Sequence, residues 1–177
     1  MTEQELRWQR TEIPVHYWNM NIEVLPPGIK ELLDNPVVAL KGNSGIVLYG
    51  KKDDWETKRI TAVGAKFLQK MIEVPMFGYF VDVLSIESTK KEIIVEELTS
   101  MWEVACKTNI LVVNNIDVDM PLPEAQFRML WELIMYKFDW RKFTVLCVYG
   151  NTKDLTKYFT GRSADFLNKN YLFIKVS

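Results

Sequence analysis

Gly45-Ile46-Val47-Leu48-Tyr49-Gly50-Lys51-Lys52-Asp53-Asp54-Trp55-Glu56-Thr57 is the stretch on which the fold turns. Four apolar residues rich in β-formers end at a glycine, a polar loop follows, and from Lys58 to Ile72 the apolar residues Ile60, Val63, Phe67, Leu68 and Met71 recur at helical spacing. A strand, a tight loop and an amphipathic helix therefore follow one another here. The same switch of period repeats along the chain. Further strands are expected at Tyr79 to Leu84, Ile110 to Val113, Thr144 to Tyr149 and Tyr171 to Val176. Further helices are expected around Ile94, Leu98, Met101, Trp102 and Ala105, and around Phe127, Leu130, Trp131, Ile134 and Phe138. The strands are apolar throughout, as strands covered on both faces of a parallel sheet must be. The expectation is an α/β three-layer domain with a mainly parallel five-stranded sheet.

Outward from that core, Pro123 suits the first turn of the third helix, and Asn151 or Thr152 suits the N-cap of a short helix through Tyr158. Upstream, Arg10 to Leu25 is rich in aromatics, and Pro26-Pro27-Gly28 separates it from a short helix at Ile29 to Leu33. Residues 1–40 thus read as an N-terminal lead-in and 41–177 as the core. The 177 residues, 48% hydrophobic and 25% charged, match one globular domain and exclude a disordered, collagen-like or disulfide-dense chain. Lys+Arg 22 against Asp+Glu 23 leaves a formal charge of −1, so no global field draws the chain to nucleic acid or an acidic membrane. Cys106 and Cys147 lack metal-ligand spacing and read as reduced core residues of an intracellular protein. No apolar run approaches the roughly 20 residues of a membrane span, so a soluble, cytoplasmic protein is expected. The single histidine, His16, reads as a packing or surface residue.

A strand, a glycine, a polar loop and a helix are also the layout of a phosphate-binding loop, G-x-x-x-x-G-K-[ST]. Gly50 and Thr57 hold the first and last positions, while Trp55 stands for the second glycine and Glu56 for the lysine. A lysine about 4 Å from a phosphate contributes roughly 4 kcal/mol at an effective dielectric near 20, and a glutamate reverses the sign. A micromolar nucleotide complex is worth only about 8 kcal/mol in total. Trp55 removes the backbone freedom that lets amides approach phosphates, and Lys51, Lys52, Lys58 and Arg59 offset only part of the charge. The same residues also fit an ordinary polar loop that never met a phosphate. The strand Ile110 to Val113 ends in Asn114-Asn115, where such a site carries the acidic residues that hold magnesium and polarise water. Asparagine is neutral, a poor magnesium ligand and no general base. Asp117 and Asp119 are expected in the loop beyond the strand.

Together these pieces resemble the AAA+ ATPase core of the bacterial helicase loaders of the DnaC/DnaI group and the related IstB-type transposition ATPases. Arg10-Thr11-Glu12-Ile13-Pro14-Val15-His16-Tyr17-Trp18 resembles the family's R-x-x-I-P-x-x-Y/F stretch, and Gly45 to Gly50 resembles its G-L-L-L-Y-G approach to the phosphate loop. Leu133 to Asn151 resembles the helix and strand ending at the polar sensor residue, here Asn151. Thr156 to Phe166 resembles the segment ending E-R-x-x-D-R. Arg162 and Asp165 match it, and the terminal arginine finger is Phe166. The resemblance implies a P-loop core of AAA+ type, here without a C-terminal lid domain, and with its nucleotide chemistry dismantled at Trp55, Glu56, Asn114, Asn115 and Phe166.

The expected function is that of a pseudo-ATPase needing no cofactor, which acts by association with a protein partner in DNA replication. The partner would be an AAA+ ATPase, a helicase or a replisome component, with the chain serving as a loader-like accessory or inhibitor in an oligomer or hetero-oligomer. Only about forty residues precede the first core strand, so the helicase-gripping domain of loaders is not expected. Phe166 set into a neighbour's site would poison it. Two rival readings remain open. One is an active loader or transposition ATPase using ATP and magnesium through Lys52 or Lys58 and Asp117. The other is a small single-stranded-DNA-binding module contacting DNA through Lys90 and Lys91. Arg141 and Lys142 form a second basic cluster.

Overall fold

A computed structural model describes residues 2–19, 27–39, 41–73, 76–86, 96–150, 153, 155 and 158–176. Five strands, β1 (Gly45–Gly50), β2 (Gly78–Asp82), β3 (Ile110–Asp117), β4 (Phe143–Tyr149) and β5 (Tyr171–Lys175), form one sheet in the order β2-β3-β4-β1-β5. Every pairing is parallel, and β1 lies between β4 and β5 with Gly45 opposite both Thr144 and Tyr171. Successive side chains of β1 serve opposite layers: Ile46 and Leu48 face one core and Val47 the other.

The helices fill those two layers. α1 (Glu3–Arg10), α2 (Pro27–Asp34), α3 (Pro36–Ala39) and α4 (Asp54–Glu73) precede β2, α5 (Glu96–Lys107) precedes β3, and α6 (Glu124–Asp139) and α7 (Arg162–Asn170) flank β4. Ile60, Val63, Phe67, Leu68 and Met71 of α4 are all buried against Ile46, Leu48, Val112 and Val145, together with Ile13, Trp18 and Leu33 of the lead-in. On the other face Leu130, Leu133 and Ile134 of α6 and Leu167 of α7 pack on Val47, Leu111, Val113 and Leu146. At roughly 2 kcal/mol per buried aliphatic side chain, these two layers supply the dominant stabilising term.

Four boundaries differ from the sequence expectation for local physical reasons. β2 stops at Asp82, whose Oδ1 accepts from Leu84 N and opens a short 3₁₀ turn over Val83–Ser85. α4 starts at Asp54, so Trp55, Glu56 and Thr57 form its first turn. Pro123 is the N-cap of α6 and stands just outside its first turn. β3 runs on to Asp117 because a bulge at Asn114–Asn115, with Asn115 at φ 68°, lets pairing resume at Ile116. Asp117 is thus the last strand residue, opposite Tyr149, where the sequence had suggested a loop. Ile94, Asn151 and Thr152 lie outside the described residues. Cys106 and Cys147 are buried free thiols, and burial raises the pKa of both.

Candidate nucleotide site

The carboxyl ends of β1, β3 and β4 meet the start of α4, the place where open parallel sheets bind ligands. Gly50 ends β1 and accepts a hydrogen bond from Gly150 N at 2.7 Å. At φ 134° Gly150 adopts a conformation open only to glycine, and a side chain there would strike Val118. The loop 51–53 leads directly into α4, with Thr57 in its first turn and Thr61 one turn later on the same face.

Thr61 Oγ1 lies 3.1 Å from Thr57 O, 2.9 Å from Asn114 Oδ1 and 2.7 Å from the Tyr149 hydroxyl, which itself donates to Asn114 Oδ1 at 2.9 Å. Thr61 is buried, as is Tyr149, whose pKa is raised mainly by burial and lowered in part by Thr61. Tyr17 of the lead-in is also raised by burial, with the Thr61 hydroxyl opposing. Two phenols, two threonines and an amide thus knit the lead-in, α4, β3 and β4 together at the carboxyl edge of the sheet. Asn114 presents a neutral oxygen whose lone pairs face Tyr149 and Thr61. Asn115 turns its amide to Asp82 Oδ2 at 3.2 Å.

Lys52 crosses from the loop to Asp117 Oδ2 at 2.7 Å, and this hydrogen bond raises the lysine's pKa, helped by the charges of Asp117 and Asp119. Asp117 Oδ1 accepts from Asp119 N at 3.0 Å. Each carboxylate oxygen therefore has one partner. In this arrangement Asn114 offers a cation only a neutral oxygen, and Lys52 and Asp117 are paired with each other.

The other residues singled out from the sequence scatter. Trp55 and Glu56 lie in the first turn of α4, whereas Asn151, Lys90 and Lys91 fall outside the described residues. Arg162 and Asp165 are exposed on α7. Phe166 is half-buried and packs within its own domain, 5.4 Å from the Trp131 ring and 4.8 Å from that of Phe138. His16 is exposed and sits 4.0 Å from the Tyr17 ring. Sequence reading missed Thr61, Tyr149, Tyr17 and Asp82. Only Thr61 left a signal, four residues beyond Thr57 on one helix face.

Tyr149→Phe tests the network. It removes the donor to Asn114 Oδ1 and is expected to cost about 1–2 kcal/mol in urea unfolding with an unchanged m-value. A midpoint equal to that of the parent would show that the phenol contributes nothing.

The fold is shared with solved helicase loaders and a solved replication initiator. No protein-family profile matches the chain, and no curated protein matches its sequence. Solved structures do. The DnaC helicase loader superposes with a TM-score of 0.70 at 16% identity, covering 93% of this chain and 100% of that one. DnaI superposes with a TM-score of 0.71 at 11% identity, covering 94% and 96%. Domain III of the Thermotoga maritima replication initiation protein DnaA gives 0.64 at 14% identity, covering 87% and 64%. Among the described residues no helix is long and apolar enough to cross a membrane.

Proposed function

We propose that the chain is a non-hydrolysing AAA+ protein that acts by associating with another protein of DNA replication, an AAA+ ATPase, a helicase or a replisome component. One observation supports this reading: Asn114, which the sequence resemblance aligns with a metal-binding carboxylate, shares its oxygen between Tyr149 and Thr61. The sequence adds a glutamate, Glu56, where the phosphate-binding lysine belongs. Losing the lysine and the acidic pair together removes the electrostatic stabilisation on which phosphoryl transfer depends.

The rival reading, an active ATPase using Lys52 or Lys58 and Asp117, asks Asp117 to face a metal while it faces Lys52. It predicts that Asp117→Ala abolishes magnesium-dependent nucleotide binding. The proposal predicts no nucleotide binding to abolish. Calorimetric titration of ATP and magnesium into the purified chain is expected to give no binding heat. Micromolar affinity that disappears in Thr57→Ala would overturn the proposal. The combined reversion Trp55→Gly, Glu56→Lys, Asn114→Asp and Asn115→Glu is expected to bring nucleotide binding back.

A further inference from the structure

The end of the sheet where the strands begin, away from the candidate nucleotide site, holds a groove of mixed chemistry. A cavity of about 370 Å³ opens there beside Gly78, the first residue of β2, between the last turn of α1 and the end of α4. Ile72 and Met76 give it an apolar lining, and Phe77, which also lines it, is 78% exposed. Arg7 and Arg10 supply two positive charges, and among the described residues no carboxylate lines it. A second cavity of about 610 Å³ shares Met76 and runs past Phe138; there the carboxylate of Asp139 stands among the cations Arg141 and Lys142.

The charges around the smaller cavity are unevenly matched. Arg7 meets Glu3 at 2.7 Å, an exposed pair that a partner can share, and Glu73 at the end of α4 meets Lys70 at 3.7 Å. The Arg10 side chain forms no hydrogen bond or ion pair among the described residues. Phe77 alone would be an ordinary exposed apolar residue. With Ile72 and Met76 beside it and two guanidiniums lining the same cavity, it completes an amphipathic groove.

Both sides of the groove are fastened to the sheet. Phe77 N donates to Asn109 Oδ1 at 3.0 Å, and Phe77 O accepts from the N–H groups of Asn109 and Ile110, so its backbone is tied to the start of β3 while its ring is exposed. Phe80 N donates to Thr11 O at 2.8 Å, which ties the chain just after Arg10 to β2. A groove fixed in this way loses little freedom when it is filled.

We infer that this groove docks an acidic segment of a partner protein, with carboxylates on Arg7 and Arg10 and an adjoining large apolar side chain over Met76 and Phe77. Guanidiniums pair with carboxylates through forked N–H donors, and the apolar lining rewards bulk beside them. Asp139 disfavours a carboxylate in the larger cavity, so the acidic residues lie at α1 and the apolar one points towards Phe138. Nucleic-acid backbones need a track of several cations, which two arginines beside an apolar lining do not make. The inference rests on the reading that the chain works through another protein, and it names the chemistry by which that protein is held. ATP titration tests the non-hydrolysing half of that reading and is independent of this groove.

The probe is a fluorescein-labelled, C-terminally amidated peptide, Gly-Asp-Asp-Asp-Phe-Leu-Gly-Gly, titrated with the purified full chain and followed by fluorescence anisotropy. Saturation is expected with Kd on the order of 10–100 µM, weakening as salt rises. Replacing the three aspartates by asparagine, or Phe-Leu by Gly-Gly, is expected to weaken binding at least about tenfold. Arg10→Glu and the milder Arg10→Gln are expected to do the same, and Phe77→Ser to cost about fivefold. Arg128→Glu, on the exposed face of α6, is expected to leave the affinity unchanged. Absence of binding at about 300 µM chain, affinity indifferent to Arg10→Gln, or equal affinity for the asparagine peptide would each overturn the inference. So would binding of a 20-nucleotide oligothymidine that displaces the peptide and is lost in Arg10→Gln, since the groove would then be a nucleic-acid site.

Discussion

Gly45→Val is expected to leave the protein largely unfolded. Gly45 begins β1, which lies between β4 and the edge strand β5, and pairs with Thr144 on one side and Tyr171 on the other. A Cβ at this position falls inside contact distance of the Thr144 carbonyl oxygen and of the Tyr171 ring, whose Cδ1 is 2.7 Å away. The ring can rotate only into a packed core, because Tyr171 is buried. The carbonyl belongs to the β4 backbone and cannot move without parting β1 from β4. A valine adds two methyl groups to that collision. Overpacking alone costs about 1–3 kcal/mol, and loss of ladder pairing on both sides of β1 adds to it, against a total stability of about 5–15 kcal/mol. Gly45→Ala keeps the collision without the methyl groups and is expected to lower the melting temperature by about 10 °C, taking about 3 °C per kcal/mol for a domain of this size. Thermal unfolding followed by far-UV circular dichroism reads both variants. A parental melting curve for Gly45→Val would mean that the strands are further apart than described.

The collision at Gly45 also shows what sequence can convey. A glycine ahead of Ile46-Val47-Leu48 marks the start of a strand, but nothing in the string says that a carbonyl from a residue 99 positions later lies against it. β1 to β4 and the helices that cover them were legible because burial on both faces forces continuous apolar runs, and one-sided burial forces helical spacing, whereas β5 is an apolar run at the sheet edge with Leu172 exposed. The strand order was not legible from periodicity, since every strand is equally apolar. The bulge at Asn115 was hidden for a related reason. Asn114-Asn115 reads as a turn, and asparagine does take the left-handed conformation of turns, yet here it does so inside a strand that then resumes. That one residue moved Asp117 from the loop into the sheet and within reach of Lys52. At the candidate site, missing charges could be read directly as Glu56, Asn114 and Asn115. The groups that took their place could not, because Tyr149 and Tyr17 join Thr61 only through the crossing of α4 over the sheet.

Lys137 provides the second large effect and a pH dependence. It is fully buried in α6, yet its ammonium reaches Thr108 O at 2.7 Å, Thr108 Oγ1 at 2.9 Å and Cys106 O at 3.3 Å. These oxygens lie at the carboxyl end of α5, where carbonyls lack helical partners and carry the negative end of the dipole. Lys137 therefore ties α6 to the end of α5. Burial lowers its pKa from 10.5 to about 7, with the nearby Lys142 charge adding to the shift and Cys106 opposing it. Between those two values the unfolded chain holds a proton that the folded chain has released, so stability rises as pH increases through the window. Below pH 7 both states are protonated and the cost of the buried charge is present in full; above 10.5 neither is, and the cost vanishes. From pH 6 to pH 9 the parent is expected to gain on the order of 2 kcal/mol relative to Lys137→Met, which has nothing to titrate there. At pH 9 Lys137→Ala is expected to be about 3 kcal/mol less stable than the parent, because it leaves Thr108 O without its donor and a cavity beside it. Urea unfolding of the three proteins at both pH values measures all of this. A parent profile parallel to that of Lys137→Met would mean that the amine keeps its proton in the fold, its three oxygens outweighing burial.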